Sequence, residues 1–238
     1  MGSKADWEIV PFQIDPDSDE KVFFSEHEWD TIEAAASRII PTDHDPGARE
    51  ARVIVFIDRY LSGIDFHYAA ADGSGFLRMS GKDAVAARAR NRDMQRLYRE
   101  GVRQLDALSR EVSGTAFKDA RADVQDKVLE RISGSPKPVP ISLTSREVFH
   151  SRLQGSTDDG MPFFPTLCLH VRQGFYADPV YGGNRDGVGW RVIGFPGPKS
   201  LRDTMDGTYS TAEYFVQEYD WESLIPGFLS TGNDEPSS

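Results

Sequence analysis

A chain of 238 residues with 39% apolar and 27% charged side chains can bury a substantial core without disulfide staples. Its 27 basic against 38 acidic residues give a net charge of −11, which argues against a nucleic-acid or anionic-membrane surface, since such surfaces need clustered cations. Cys168 is the single cysteine, which excludes an intrachain disulfide, a Cys-x-x-Cys pair, a c-type haem attachment and a cysteine-based zinc or iron–sulfur cage.

Along the chain, Ser25 and Glu28 form an S-x-x-E capping box, and Trp29, Ile32, Ala36, Ile39 and Ile40 follow at helical spacing until Pro41 ends the run. A second helix is predicted over 48–61, with Ala51, Ile54, Val55, Asp58 and Leu61 near one face, forming a hairpin with the first. Residues 66–81, with the turn-rich Asp72-Gly73-Ser74-Gly75, read as an irregular connection. A long helix resumes over 82–112, carrying Met94, Leu97, Leu105, Leu108 and Val112 at helical spacing and Gly101 as a weak interior point. Basic residues cluster there in Arg88, Arg90, Arg92, Arg96, Arg99 and Arg103. With Asp93, Glu100 and Asp106 interleaved, this reads as a solvated or partner-facing helix face. Another helix is predicted over 119–132, closed by the Gly134–Pro138 linker, and one more over 163–173.

From 174 to 197 the sequence is rich in Gly, Pro and aromatics without a sustained period and reads as loop. Phe175, Tyr176, Tyr181, Trp190 and Phe195 argue that this loop is ordered. The fold expected is mainly α: a single helical domain over 23–229 of about five to seven helices, with a long structured Gly/Pro/aromatic loop region in the C-terminal third. An extended arm precedes it at 1–22 and a flexible tail follows at 230–238.

Candidate chemistry is sparse. Asp43, His44 and Asp45 are suitable metal ligands, but adjacent residues seldom converge on one ion, and turn and capping bonds account for them. Among His27, His44, His67, His150 and His170 none sits in a nucleophile motif. Cys168 and His170, two apart on a helix, do not face each other. Asp178 and Asp186 flank Tyr181-Gly182-Gly183-Asn184, where turn hydrogen bonds explain them better than a calcium or sugar site. Gly182-Gly183 lacks the spacing of a phosphate loop. No catalytic, cofactor-binding or metal residues are therefore assigned.

FFSEHEWDTIEAAASRIIPTD at 23–43, PGA at 46–48, FID at 56–58 and QGFYADPVYGGNRDGVGWRVIGFPGP at 173–198 together resemble the gluconate 2-dehydrogenase subunit 3 family over roughly 23–198. The resemblance implies a non-catalytic small subunit of a complex whose large subunit is a glucose-methanol-choline type flavoprotein. FAD would sit on that partner, and a cytochrome c often serves as a further electron acceptor. In the family the small subunit commonly carries a twin-arginine export signal. None is visible in MGSKADWEIVPFQ, so a periplasmic location is expected if an export signal was removed and a cytoplasmic one otherwise. No apolar stretch approaches a membrane span. The partner interface is expected at Tyr176, Tyr181, Gly182, Gly183, Asn184, Trp190 and Phe195, with Tyr181, Trp190 and Phe195 as anchors. A metal-dependent enzyme and a stand-alone sugar-binding module are the alternative classes.

Overall fold

The computed structural model describes residues 17–62, 81–134, 160–195 and 197, together with the backbone of three short strands. In chain order these are β1 (Glu8–Val10), α1 (Glu26–Ile39), α2 (Val53–Leu61), β2 (Phe66–Ala69), β3 (Phe76–Arg78), α3 (Gly81–Ser113), α4 (Ala122–Ser133), α5 (Phe163–Tyr176) and α6 (Val188–Val192). The mainly α expectation holds. The tail at 230–238, the linker beyond Gly134 and His150 lie outside the described residues, as does the side chain of His67.

α1 starts where its capping box predicts: Ser25 Oγ accepts from the Glu28 amide, and the Glu28 carboxylate accepts from the Ser25 amide. The second helix is shorter than its periodicity suggests. Residues 48–52 form a turn, Arg52 takes a left-handed conformation (φ 53°), and only then does α2 begin. Ala48 donates to the Ile40 carbonyl and Val53 to the Ala48 carbonyl, so the chain folds back on the end of α1 before it turns into α2. Once started, α2 is buried on nearly every side. Val53, Ile54, Val55, Ile57, Asp58 and Leu61 are all at most 1% exposed, the signature of a central rather than an amphipathic helix.

α1, α3 and α5 pack around α2, with α4 against α1, α3 and α5. The core they share contains Ile32, Tyr98, Leu105, Phe117, Leu167, Val171 and Phe175. Fully burying each such side chain contributes about 1.5–3 kcal/mol. Asp106 ties this bundle together from α3. Its carboxylate lies 2.6 Å from His27 Nε2 on α1 and accepts from the Phe117 amide at 3.0 Å.

Two segments read as loop are structured. Residues 66–81 hold β2 and β3, which pair antiparallel with an irregularity between Phe66 and Tyr68. β1 pairs with the other edge of β3, giving the order β1-β3-β2. Strands of three or four residues are too short to show a period of two, which is why the aromatics at 66–68 and 76 were read as connection. Residues 174–197 likewise carry the last turn of α5, two 3-10 turns at 179–181 and 185–187, and α6. Left-handed residues at Gly182, Asn184, Asp186 and Gly187 interrupt the helical spacing every few positions.

Gly101, a weak point by helix propensity, marks a close approach of α3 and α5: a Cβ there would overlap the Phe163 ring. Gly101→Ala is expected to lower stability by about 1–3 kcal/mol despite alanine's better helix propensity. A denaturant midpoint that rises instead would show that the two helices can separate without loss. Phe163→Leu in the same chain should recover part of the deficit.

Candidate functional site

Several of the sequence segments that carry the family resemblance meet in space. The 174–195 segment folds over the side and C-terminal end of α2, and the stretch just before α1 lies along the same helix.

Asp58, fully buried near the end of α2, organises the second contact. Its carboxylate accepts three consecutive backbone amides, from Val22 (2.6 Å), Phe23 (3.1 Å) and Phe24 (2.7 Å). A buried carboxylate is tolerated only when hydrogen-bonded in this way. The neighbouring arginines extend the clamp. Arg59 donates to the Ser18 carbonyl at 3.0 Å, Arg52 reaches Asp19 at 2.9 Å and Glu33 at 3.2 Å, and Arg185 reaches both the Asp17 carbonyl and Asp19 at 2.9 Å. Asp19 is thus shared by an arginine preceding α2 and one from the glycine-rich corner. Burial pushes its carboxyl up, but the bonds and charge of Arg185 and Arg52 outweigh this and hold it below its ordinary value.

The corner itself is locked from within. The Asp178 carboxylate accepts from the Val180 amide, as expected of a turn residue rather than a calcium ligand. Gly182 lies beneath the Arg59 guanidinium, and Gly183 passes so close to α5 that a Cβ would overlap the Gly174 carbonyl oxygen. Asn184 is fully buried. Its Nδ2 donates to the Ala177 carbonyl (2.8 Å) and its Oδ1 accepts from the Gly189 amide (2.7 Å), stapling the two ends of the corner. Its neighbour Arg185 donates its amide to the Ala51 carbonyl, bonding the corner to the turn before α2.

At the outer edge, Trp190 Nε1 donates to the Tyr176 carbonyl at 2.8 Å, and Phe195 packs edge-on against the Trp190 ring at 5.4 Å. Tyr176, Val192 and Ile193 are 41%, 37% and 44% exposed, whereas Tyr181, Trp190 and Phe195 are half-buried. Of the seven residues expected at an interface, Gly182, Gly183 and Asn184 build the scaffold and the aromatics sit at or near its surface. Val192 and Ile193 belong to the same edge but carried no sequence signal beyond hydrophobicity. Asp58, Arg59 and Arg185 were also missed as organisers. The one available hint was an aspartate within the apolar helix VIVFIDRYL.

The other candidates are accounted for individually. His170 is buried, with Nδ1 2.8 Å from Tyr98 Oη and its ring stacked on the Tyr98 ring. Cys168 is half-buried, and desolvation pushes its thiol up, away from the reactive thiolate. The side chains of Asp43, His44 and Asp45 do converge, with ligand atoms within 4.8 Å of one another, but at an exposed turn. There the Asp43 carboxylate already accepts from the Asp45 amide. A cleft of about 430 Å³ between α1 and α4 is lined by Arg38, Arg49, Glu50, Lys118 and Gln125 among others. Arg38 is bonded twice to Asp126 and Lys118 once to Asp30, and both cations are raised above their ordinary pKa by those bonds. Its Glu50 carboxyl is held low, chiefly by the Thr42 hydroxyl.

In this helical fold the described polar clusters are committed largely to structure, and a rigid apolar edge faces outward. Residues 26–197, well over half of the chain, match the family model described as gluconate 2-dehydrogenase subunit 3, and the chain belongs to that family. Membership implies partnership with a dehydrogenase catalytic subunit. No curated protein and no solved structure matches the chain.

Asp58→Asn keeps the shape but, with its oxygen left to Phe23 and Phe24, places an NH2 group against the Val22 N–H donor. It is expected to cost about 2–4 kcal/mol in denaturant unfolding, and a cost near zero would mean that the amides find other acceptors. The depressed Asp19 carboxyl supplies stability that is present above its unfolded value of about 3.9 and is lost as pH falls through its lower folded value. Hydrogen-exchange protection of the Val22–Phe24 amides should therefore fall below about pH 4 more steeply in the native chain than in Asp19→Asn.

Proposed function

We propose that this chain is the non-catalytic small subunit of a bacterial FAD-dependent sugar or polyol dehydrogenase. It stabilises and assembles the catalytic glucose-methanol-choline type flavoprotein and travels with it where the complex is exported. Family membership supports the partnership. The single structural observation that carries the interface is the apolar edge of Tyr176, Trp190, Val192, Ile193 and Phe195, mounted on a corner held by Asn184, Gly183 and Arg185.

Exposed aliphatic and aromatic side chains on a rigid support are what an obligate interface uses, because little conformational freedom is lost when they are covered. In this reading FAD and the site of oxidation belong to the partner, and a cytochrome c accepts electrons beyond it. The complex resides in the periplasm when exported and in the cytoplasm otherwise. No described helix is long and apolar enough to cross a membrane.

Co-expression of the tagged full chain with a glucose-methanol-choline type flavoprotein from the same source should yield a yellow complex in equal amounts. A chain that elutes alone and colourless would overturn the reading. Ile193→Asp, at an exposed position, should weaken association roughly 30-fold, corresponding to about 2 kcal/mol, while leaving the chain's own thermal unfolding unchanged.

A further inference from the structure

The outer face of α3 is strongly basic for an acidic chain. Residues 81–113 contain eight of the chain's 27 Lys and Arg residues but only five of its 38 Asp and Glu residues. At about 100° per residue, Arg88, Arg92, Arg96, Arg99 and Arg103 fall within a sector of roughly 80° and form a ridge about 22 Å long. All five are exposed. Arg90, which sequence spacing places in the same cluster, turns inward to donate to Tyr60 Oη. Asp106, one of three acids that would neutralise the face, is instead buried against His27 and Phe117.

Among the described residues, Arg96, Arg99 and Arg103 each meet a carboxylate. Asp93 pairs with Arg96, Glu100 lies 3.9 Å from Arg103, and Glu28 of α1 lies 3.7 Å from Arg99. The first two pairs are i,i+3 contacts between side chains about 70% exposed, a class that contributes little and exchanges readily. Like charges at i,i+4, as in Arg88-Arg92-Arg96 and Arg99-Arg103, work against the helix. Within the row, Arg99 also serves the fold, its guanidinium lying 4.9 Å from the Phe23 ring centroid, whereas the exposed pairs of Arg96 and Arg103 contribute little to it.

We infer that the α3 ridge is a docking surface for an acidic face of the dehydrogenase catalytic subunit, an inference that rests on the subunit reading above. Charge complementarity selects this occupant. A polyanion such as nucleic acid or a lipid surface would meet a chain of net charge −11 and the acid row of Asp93, Glu100 and Glu111 beside the ridge. A protein carboxylate patch can instead match arginines one at a time, by bidentate bonds that replace Asp93 and Glu100. Such a surface chiefly speeds and orients encounter.

The test compares the full native chain with the triple variant R92E/R96E/R103E, each co-expressed with the flavoprotein. Association of the native pair should weaken several-fold between about 50 and about 300 mM salt. The charge-reversed chain should associate at least roughly tenfold more slowly and lose that salt dependence. R92Q/R96Q/R103Q should fall between the two, and serves as the decisive variant if the reversed chain misfolds by circular dichroism. A native chain that captures no flavoprotein removes the subunit reading and this inference together. A native chain that captures it, with variants that match its rate and salt dependence, overturns the ridge alone.

Discussion

The structure depends on one buried charge. Asp58 sits within a helix whose other buried positions are almost all apolar, and an isolated carboxylate there would cost several kcal/mol. It is compatible with the fold because Val22, Phe23 and Phe24 direct three successive amides at it. That requirement fixes where the chain must run before α1 begins. The Ser25 capping box then starts α1 immediately after the anchored residues, so Asp58 and the cap together fix where α1 begins beside α2.

From that anchor the same logic spreads outward. Arg52, Arg59 and Arg185 flank the Asp58 clamp and bind the arm at Asp17, Ser18 and Asp19, while Arg185 also carries the corner that follows α5. The close approaches at Gly183 and Gly189 let that corner lie flat on α5, because any side chain at either position would collide with a backbone carbonyl. The sequence segments 22–24, 56–59 and 174–190 are thus parts of one contact. Altering the arm, α2 or the corner should disturb the others, since they share bonds rather than merely surface.

Much of this fold was legible in the sequence where a single local signal decided the outcome: the Ser25 cap, the break at Pro41, the apolar period of α3, and Gly134 with its left-handed φ at the end of α4. Regularity failed as a guide where elements are shorter than the period that would reveal them, as in β2, β3 and α6. It failed again where a turn carries a helix-like pattern, as at 48–52. The corner was recognisable by composition, but its internal division was not. Whether Asn184 faces a partner or the interior depends on the positions of Ala177 and Gly189, which no local pattern encodes. Asp58 was placed on the correct helix, but its partners are more than thirty residues distant in sequence.

The glycine-rich corner and the α3 ridge divide the work of meeting a partner along physical lines. The corner's edge is preorganised: Trp190 is pinned through its indole N–H, and the residues beneath it are locked by buried bonds, so covering it sacrifices little entropy and mainly slows dissociation. The ridge is the opposite case. Its arginines are long and exposed, so holding each one costs about 0.5–1.5 kcal/mol of side-chain ordering, which offsets much of what a new ion pair contributes. Their field nevertheless acts over about 8–10 Å before any contact forms. A basic face on an acidic chain therefore favours a few orientations of approach, and the apolar edge then determines how long the partner stays.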